Sequence, residues 1–128
     1  MSDQSQEIIR VTEQLLQSIA EANWESYERL CDPSLTAFEP EGRGHLIVGL
    51  PFHKYYFELG PAKKPPQNLV SQPHVRIVGD VGIISYTRLT QVLNEHGAPI
   101  TRVAEETRIW QKINDKWRHI HFHRSLPA

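Results

Sequence analysis

TRVAEETRIWQKINDKWRHIHFHR, residues Thr101–Arg124, decides how the rest of this chain reads. Two runs with a two-residue period flank Asn114-Asp115, a pair suited to a tight hairpin turn. The pattern predicts strands over Thr101–Ile113 and Trp117–Arg124. Successive side chains of a strand point to opposite faces. Glu106, Arg108 and Trp110 therefore share one face, and Glu105 turns away from it. By the same count Ile120, Phe122 and Arg124 share a face, with His119, His121 and His123 opposite.

The alternation continues upstream. Leu69–Val78 and Val81–Leu93 read as two more strands, with hairpin turns at Gly79-Asp80 and Glu95-His96-Gly97. In the second of them Ile84, Tyr86, Arg88 and Val92 lie on one side. Before Asn68 the period is helical instead. Ile8, Val11, Leu15, Leu16 and Ile19 form an apolar stripe within a helix predicted over Ser5–Ala22. Trp24–Leu30 reads as a second helix, capped by Asn23 and stopped before Asp32-Pro33. Short strands are predicted at Leu35–Phe38 and His45–Val48, with a turn over Glu39–Gly44 between them. A third helix follows Gly49, with Pro51 in its first turn and a stripe of Phe52, Tyr55, Tyr56 and Leu59. Gly60-Pro61 ends it. Helices first and an antiparallel meander last imply an α+β domain, its curved sheet wrapped around the first helix.

Length and composition set bounds on this reading. The chain has 128 residues, enough for one domain, residues 1–128, with one core. It is 39% hydrophobic and 23% charged, which marks a globular chain. A formal charge of -1 gives no electrostatic case for nucleic acid or an anionic membrane. Cys31 is the one cysteine, so no intrachain disulfide forms. No apolar run reaches the length of a membrane span, and Met1–Ser5 does not read as a secretory signal. The expectation is a cytoplasmic protein.

Three strands each place an arginine two residues from an aromatic on the same side: Tyr86 and Arg88, Arg108 and Trp110, Phe122 and Arg124. On a concave face they would converge. Buried guanidiniums need partners. Glu106 is the obvious internal one, which leaves two of the three charges for a ligand. Arginine forks suit carboxylate or phosphate. The competing reading has all three near strand ends, reaching water.

The histidine trio at 119, 121 and 123 could suggest a metal. Same-face neighbours on one strand stand roughly 6–7 Å apart, too far for all three to hold one ion. A solvated or subunit-contact face fits better, and no metal site is assigned. Cys31 beside Asp32 reads as a small buried hydrophobe, not a nucleophile. There is no Gly-rich phosphate loop, GxSxG elbow or HExxH. No catalytic residue and no cofactor is assigned. Tyr55, Tyr56 and Tyr86 could donate hydrogen bonds, although aromatic core is the commoner role.

These segments together resemble a known family. QEIIRVTEQLLQSIA (Gln6–Ala20), SYERLCDPSLTAFEPE (Ser26–Glu41), FHKYYFE (Phe52–Glu58), QPHVRIVGD (Gln72–Asp80), SYTRLTQ (Ser85–Gln91), EETRIW (Glu105–Trp110) and KWRHIHFHRS (Lys116–Ser125) run in order along nearly the whole chain. They resemble the association, or hub, domain of calcium/calmodulin-dependent protein kinase II. The resemblance implies an NTF2-like cone, a bent sheet cradling a long N-terminal helix. It implies a homo-oligomer of two stacked rings: a dodecamer, a tetradecamer or larger. It places the pocket arginines on SYTR, EETR and HFHR, that is Arg88, Arg108 and Arg124, with acidic peptides, the kinase regulatory segment included, or small carboxylates as ligands. Tyr55, Tyr56, His74 and Glu106 follow as lining or supporting residues. The Gly60–Gln67 loop, Ile100 and Gly42-Arg43-Gly44-His45 depart from the family's pattern, which bears on subunit number. No kinase catalytic loop or calmodulin-binding helix occurs in the chain.

Two other functions fit an NTF2-like cone. One is an isomerase or dehydratase, which needs a poised acid or base in the pocket. The other is a small-molecule carrier with no ring. Arginines cannot act as bases at neutral pH, which favours the scaffold.

Overall fold

The computed structural model describes residues 2–127. It comprises α1 (Asp3–Ala20), α2 (Trp24–Leu30), β1 (Cys31–Phe38), a 3₁₀ turn (Pro40–Gly42), β2 (Ile47–Val48), α3 (Pro51–Glu58), β3 (Gln67–Val78), β4 (Val81–Leu93), β5 (Pro99–Ile113) and β6 (Lys116–Ser125). The strands form one six-stranded sheet in the order β2-β1-β6-β5-β4-β3. All neighbours are antiparallel except β1 and β6, which run parallel. No described helix is long and apolar enough to cross a membrane.

Local chemistry explains most of the boundaries. Ser2 caps α1 by accepting the Ser5 N–H at 3.1 Å. Asn23 does the same for α2 through Ser26, also at 3.1 Å. Asn114 and Asp115 both adopt positive φ, 52° and 65°, as a tight two-residue hairpin requires. β1 starts at Cys31, directly after α2, four residues before the periodicity suggests.

α1 lies across the concave side against β3 and β4. Ile8, Leu15 and Leu16 pack with Ile84, Tyr86, Trp110, Trp117 and Phe122. The helix approaches the sheet closely at Gly82. A Cβ there would stand 2.5 Å from Ile8 Cδ1. Polar ties set the helix register: Trp110 Nε1 donates to Thr12 Oγ1 at 3.2 Å, and Trp117 Nε1 to Glu7 at 2.8 Å.

Two expectations need correction. In α3 the stripe of Phe52, Tyr55, Tyr56 and Leu59 is not the buried face. His53 is buried, Phe52 and Phe57 are half-buried, and Tyr55, Tyr56 and Leu59 are exposed. Aromatic side chains surround this short helix, so its sequence satisfies two stripes. Contacts of Phe57 with Tyr27 at 4.7 Å and with Trp24 at 5.4 Å select the His53 side.

In β6 the alternation breaks. The β5–β6 register shifts between Ile109 and Trp110, so Ile109 faces His121 while Trp110 faces His119. Ile120 is the extra residue of a β-bulge. His119 consequently turns into the core with Trp117, Phe122 and Arg124, and does not share the outer face of His121 and His123. Its side chain is fully buried and stacks on Phe122 at 5.6 Å between centroids. Ile120 does not share the Phe122 face.

Candidate functional site

The strands carry the site's charged residues on their inner faces. β4 contributes Tyr86 and Arg88, β5 contributes Glu106 and Arg108, and β6 contributes Phe122 and Arg124. Cross-strand register sets Tyr86 opposite Glu106, and Glu106 opposite Arg124. All six therefore meet at one end of the cone, beyond the C-terminal turn of α1. Arg88, Arg108, Phe122 and Arg124 border a cavity of about 580 Å³, whose wall also includes Ile19, Tyr27, His53, Tyr56 and Phe57.

Glu106 is the hub of the charge cluster. Its carboxylate is buried and accepts from Arg88 Nη1 at 3.1 Å and from Arg108 Nη2 at 3.1 Å. Arg124 Nε stands 4.0 Å away. The Tyr86 hydroxyl donates to Glu106 and accepts from Arg108 Nε at 3.0 Å. Burial alone would raise the Glu106 pKa, but Arg108 and Arg88 outweigh it and bring the group down to about 2. Arg108 is 1% exposed. Burial opposes its charge, and Glu106 and Tyr86 more than restore it, so its pKa is raised. Its guanidinium also sits 4.5 Å over the Phe122 ring, a cation–π contact. Arg108 Nη1 is buried without a hydrogen-bond partner.

The outer arginines are held differently. Arg88 Nε donates to Asn68 Oδ1 at 2.9 Å, which also accepts from Thr90 at 2.9 Å. Arg124 pairs with Glu41, and Glu39 lies 3.8 Å from it. Glu39 in turn binds His53 Nε2 at 2.8 Å. Two of the three arginine charges were expected to lack internal partners. The 3₁₀ turn after β1 corrects that, because it carries Glu39 and Glu41 across the chain to Arg124.

Of the residues singled out in the sequence, Arg88, Arg108, Arg124 and Tyr56 line the cavity, and Glu106 ties the arginines together from beneath. Tyr55 and His74 do not line it. Tyr55 projects from the solvent side of α3. His74 sits opposite Ser85, an outer-face position of β4, and is exposed. Among the lining residues that were missed are Glu39, Glu41, His53 and Arg102. Arg102 was legible, because it is in phase with Glu106 and Arg108 on the same strand. The other three lie on a turn and a short helix, where no alternation signals direction.

The chemistry of the cluster suits an anion better than it suits proton transfer. Glu106 is the buried carboxylate at its centre, and two arginines hold it ionised, which makes it a weak base. Two other buried groups, Cys31 and His119, are also poor in reactivity. Burial pushes the Cys31 thiol up to about 12, and burial with Arg108 nearby pushes the His119 imidazole down, so it stays neutral.

Comparison with known proteins identifies the family of the chain. The family model described as calcium/calmodulin dependent protein kinase II association domain matches residues 4–128. The delta subunit of calcium/calmodulin-dependent protein kinase type II from Oryctolagus cuniculus is 49% identical over 94% of this chain. The chain spans about a quarter of the length of the curated relatives it matches, 23% and 24%. The hub homology domain of that kinase from Chlamydomonas reinhardtii superposes with a TM-score of 0.91 at 48% identity, over 98% of this chain and all of that one. An NTF2-like superfamily protein from Salmonella enterica superposes at 0.79 with 20% identity, over 97% of this chain and 91% of that one, a likeness of fold alone.

Proposed function

The chain belongs to the calcium/calmodulin dependent protein kinase II association domain family, and from that premise we propose that it is an oligomerisation scaffold whose arginine cavity receives carboxylates. The association domain is the non-catalytic part of such kinases. Copies of this chain assemble into a two-layered ring, a dodecamer, a tetradecamer or larger. Joined to a kinase domain, the ring would hold catalytic domains close enough to act on one another. The observation that carries the reading is the match along the whole chain to a solved hub domain. The surface supports it. Phe38, Leu46, Val48, Leu59, Val78 and Leu93 are all well exposed although the chain has a filled core. Apolar side chains in that number suit burial between subunits.

The cavity serves capture. Its ligand is an acidic peptide, such as a kinase regulatory segment, or a small carboxylate. Arg88 and Arg124 are the less buried guanidiniums of the Glu106 cluster, at 14% and 18% side-chain exposure, while Arg108 supplies field from beneath.

The mass in solution tests the scaffold. Light scattering at micromolar concentration should give a large closed multiple of 14.8 kDa. A monomer or a simple dimer would refute the ring. For the cavity, Arg88→Ala and Arg124→Ala should each weaken binding of a fluorescent acidic peptide. Equal affinity in both variants would remove the cavity from the account.

A further inference from the structure

Four arginines line the cavity, and three of them are engaged. Arg88 and Arg108 bind Glu106, and Arg124 binds Glu41 and Glu39. The fourth, Arg102, borders the same cavity and is exposed. It has no ion pair and no side-chain hydrogen bond to the described residues. Its place in the sheet is set by register. Arg102 faces Thr90, and Ala104 faces Arg88. Arg102 and Arg88 are therefore diagonal neighbours, about 7–8 Å apart at their roots. The residue between them on the β5 face is Ala104, which offers only a methyl group.

The charges around the cavity point to the valence of its ligand. Four guanidiniums face three carboxylates: Glu39, Glu41 and Glu106. The carboxylates are not equivalent. The Glu39 and Glu106 side chains are 7% and 0% exposed, and that of Glu41 is 42% exposed. Glu41 can leave Arg124 for water at small desolvation cost, whereas the other two cannot. Once a ligand carboxylate takes its place, four cations face two protein anions. A ligand with two carboxylates balances that surplus; one with a single carboxylate leaves a cation over.

We propose that Arg102 is a specificity-determining residue that makes this cavity a site for short linear dicarboxylates. One carboxylate replaces Glu41 in the inner arginine cluster, and the second is held by Arg102. The proposal rests on the carboxylate-capture reading above and names the ligand class of that same site. Hydrogen bonds to charged groups contribute about 1.5–3 kcal/mol, so the second contact should give a preference of about tenfold or more.

The test uses the intact assembled chain and two matched probes, glutarate and butyrate, in calorimetric or NMR titrations. The wild-type chain should bind glutarate at least about tenfold more tightly than butyrate. Arg102→Ala should collapse that ratio, and Arg102→Lys, which keeps the charge, should restore part of it. Glu41→Gln should strengthen binding of both probes, because the internal competitor no longer carries a charge. An unchanged ratio in Arg102→Ala, with butyrate binding still lost in Arg88→Ala, would overturn the role of Arg102 alone. If neither probe binds, or both bind as well to Arg88→Ala and Arg124→Ala, the cavity is not a carboxylate site and both readings fall.

Discussion

Replacing Glu106 by glutamine removes one charge and keeps the shape of the side chain. The Tyr86 hydroxyl can still donate to the amide oxygen, so the variant isolates the charge. Its loss leaves Arg108, which is 1% exposed, with no buried anion beside it. The magnitude follows from the titration of the group. Glu106 falls from an ordinary 4.5 to about 2, and at ~1.4 kcal/mol per unit this corresponds to about 3 kcal/mol of folding free energy. Breaking a buried pair by removing one partner costs about 3–5 kcal/mol in general, which agrees. The pH dependence carries a sign. A carboxylate depressed in the folded state stabilises fully above its unfolded pKa, and that contribution is lost as pH falls through the folded value. The penalty of Glu106→Gln should therefore be constant above pH 4.5 and shrink between 4.5 and about 2. Urea denaturation of both chains, followed by tryptophan fluorescence at pH 7 and across that acid window, measures it. Protein concentration must be matched, since assembly adds to stability. A penalty under about 1 kcal/mol at pH 7, or one that persists unchanged to pH 2, would refute the argument that Glu106 neutralises a buried arginine cluster.

Two further outcomes are expected. Gly82→Ala should destabilise the fold by about 1–3 kcal/mol, because its Cβ would meet Ile8 Cδ1 at 2.5 Å; an unshifted melting temperature would show that α1 rides higher over the sheet. His119 is held neutral in the core, so below about pH 6.5 the unfolded chain takes up a proton that the folded chain refuses, and stability falls with pH. His119→Gln should flatten that slope by up to about 1.4 kcal/mol per pH unit, and an equally steep acid loss in the variant would assign the slope to other groups.

Much of the architecture was legible because its signals are local. β4 spans Val81–Leu93 and α2 spans Trp24–Leu30, both as the periodicity predicts, since alternation and capping act over a few residues. Counting faces offered the convergence of Arg88, Arg108 and Arg124 as one of two readings, and the structure brings the three together. Arg102 obeyed the same count and was passed over, because no aromatic stood two residues away to mark it. The count failed where one residue is inserted. Nothing in HIHF announces that Ile120 bulges, and that single residue moves His119 from an outer face to the core. On α3, two aromatic stripes compete within eight residues, and only contact with Tyr27 and Trp24 chooses between them.

The sequence by itself determined the α+β class, the order of helices and strands, and an inner sheet face carrying arginine and aromatic side chains. Those properties follow from periods of two and 3.6, which a single element expresses without its neighbours. The tertiary structure decided which charges meet. Arg124 finds Glu41 across 83 residues of chain, and His53 reaches Glu39 from a helix whose buried face its own sequence leaves open. Ion pairs of that kind depend on where a turn sets down a side chain relative to a distant strand. That placement is a product of packing, so it became visible only once the cone had closed around its cavity.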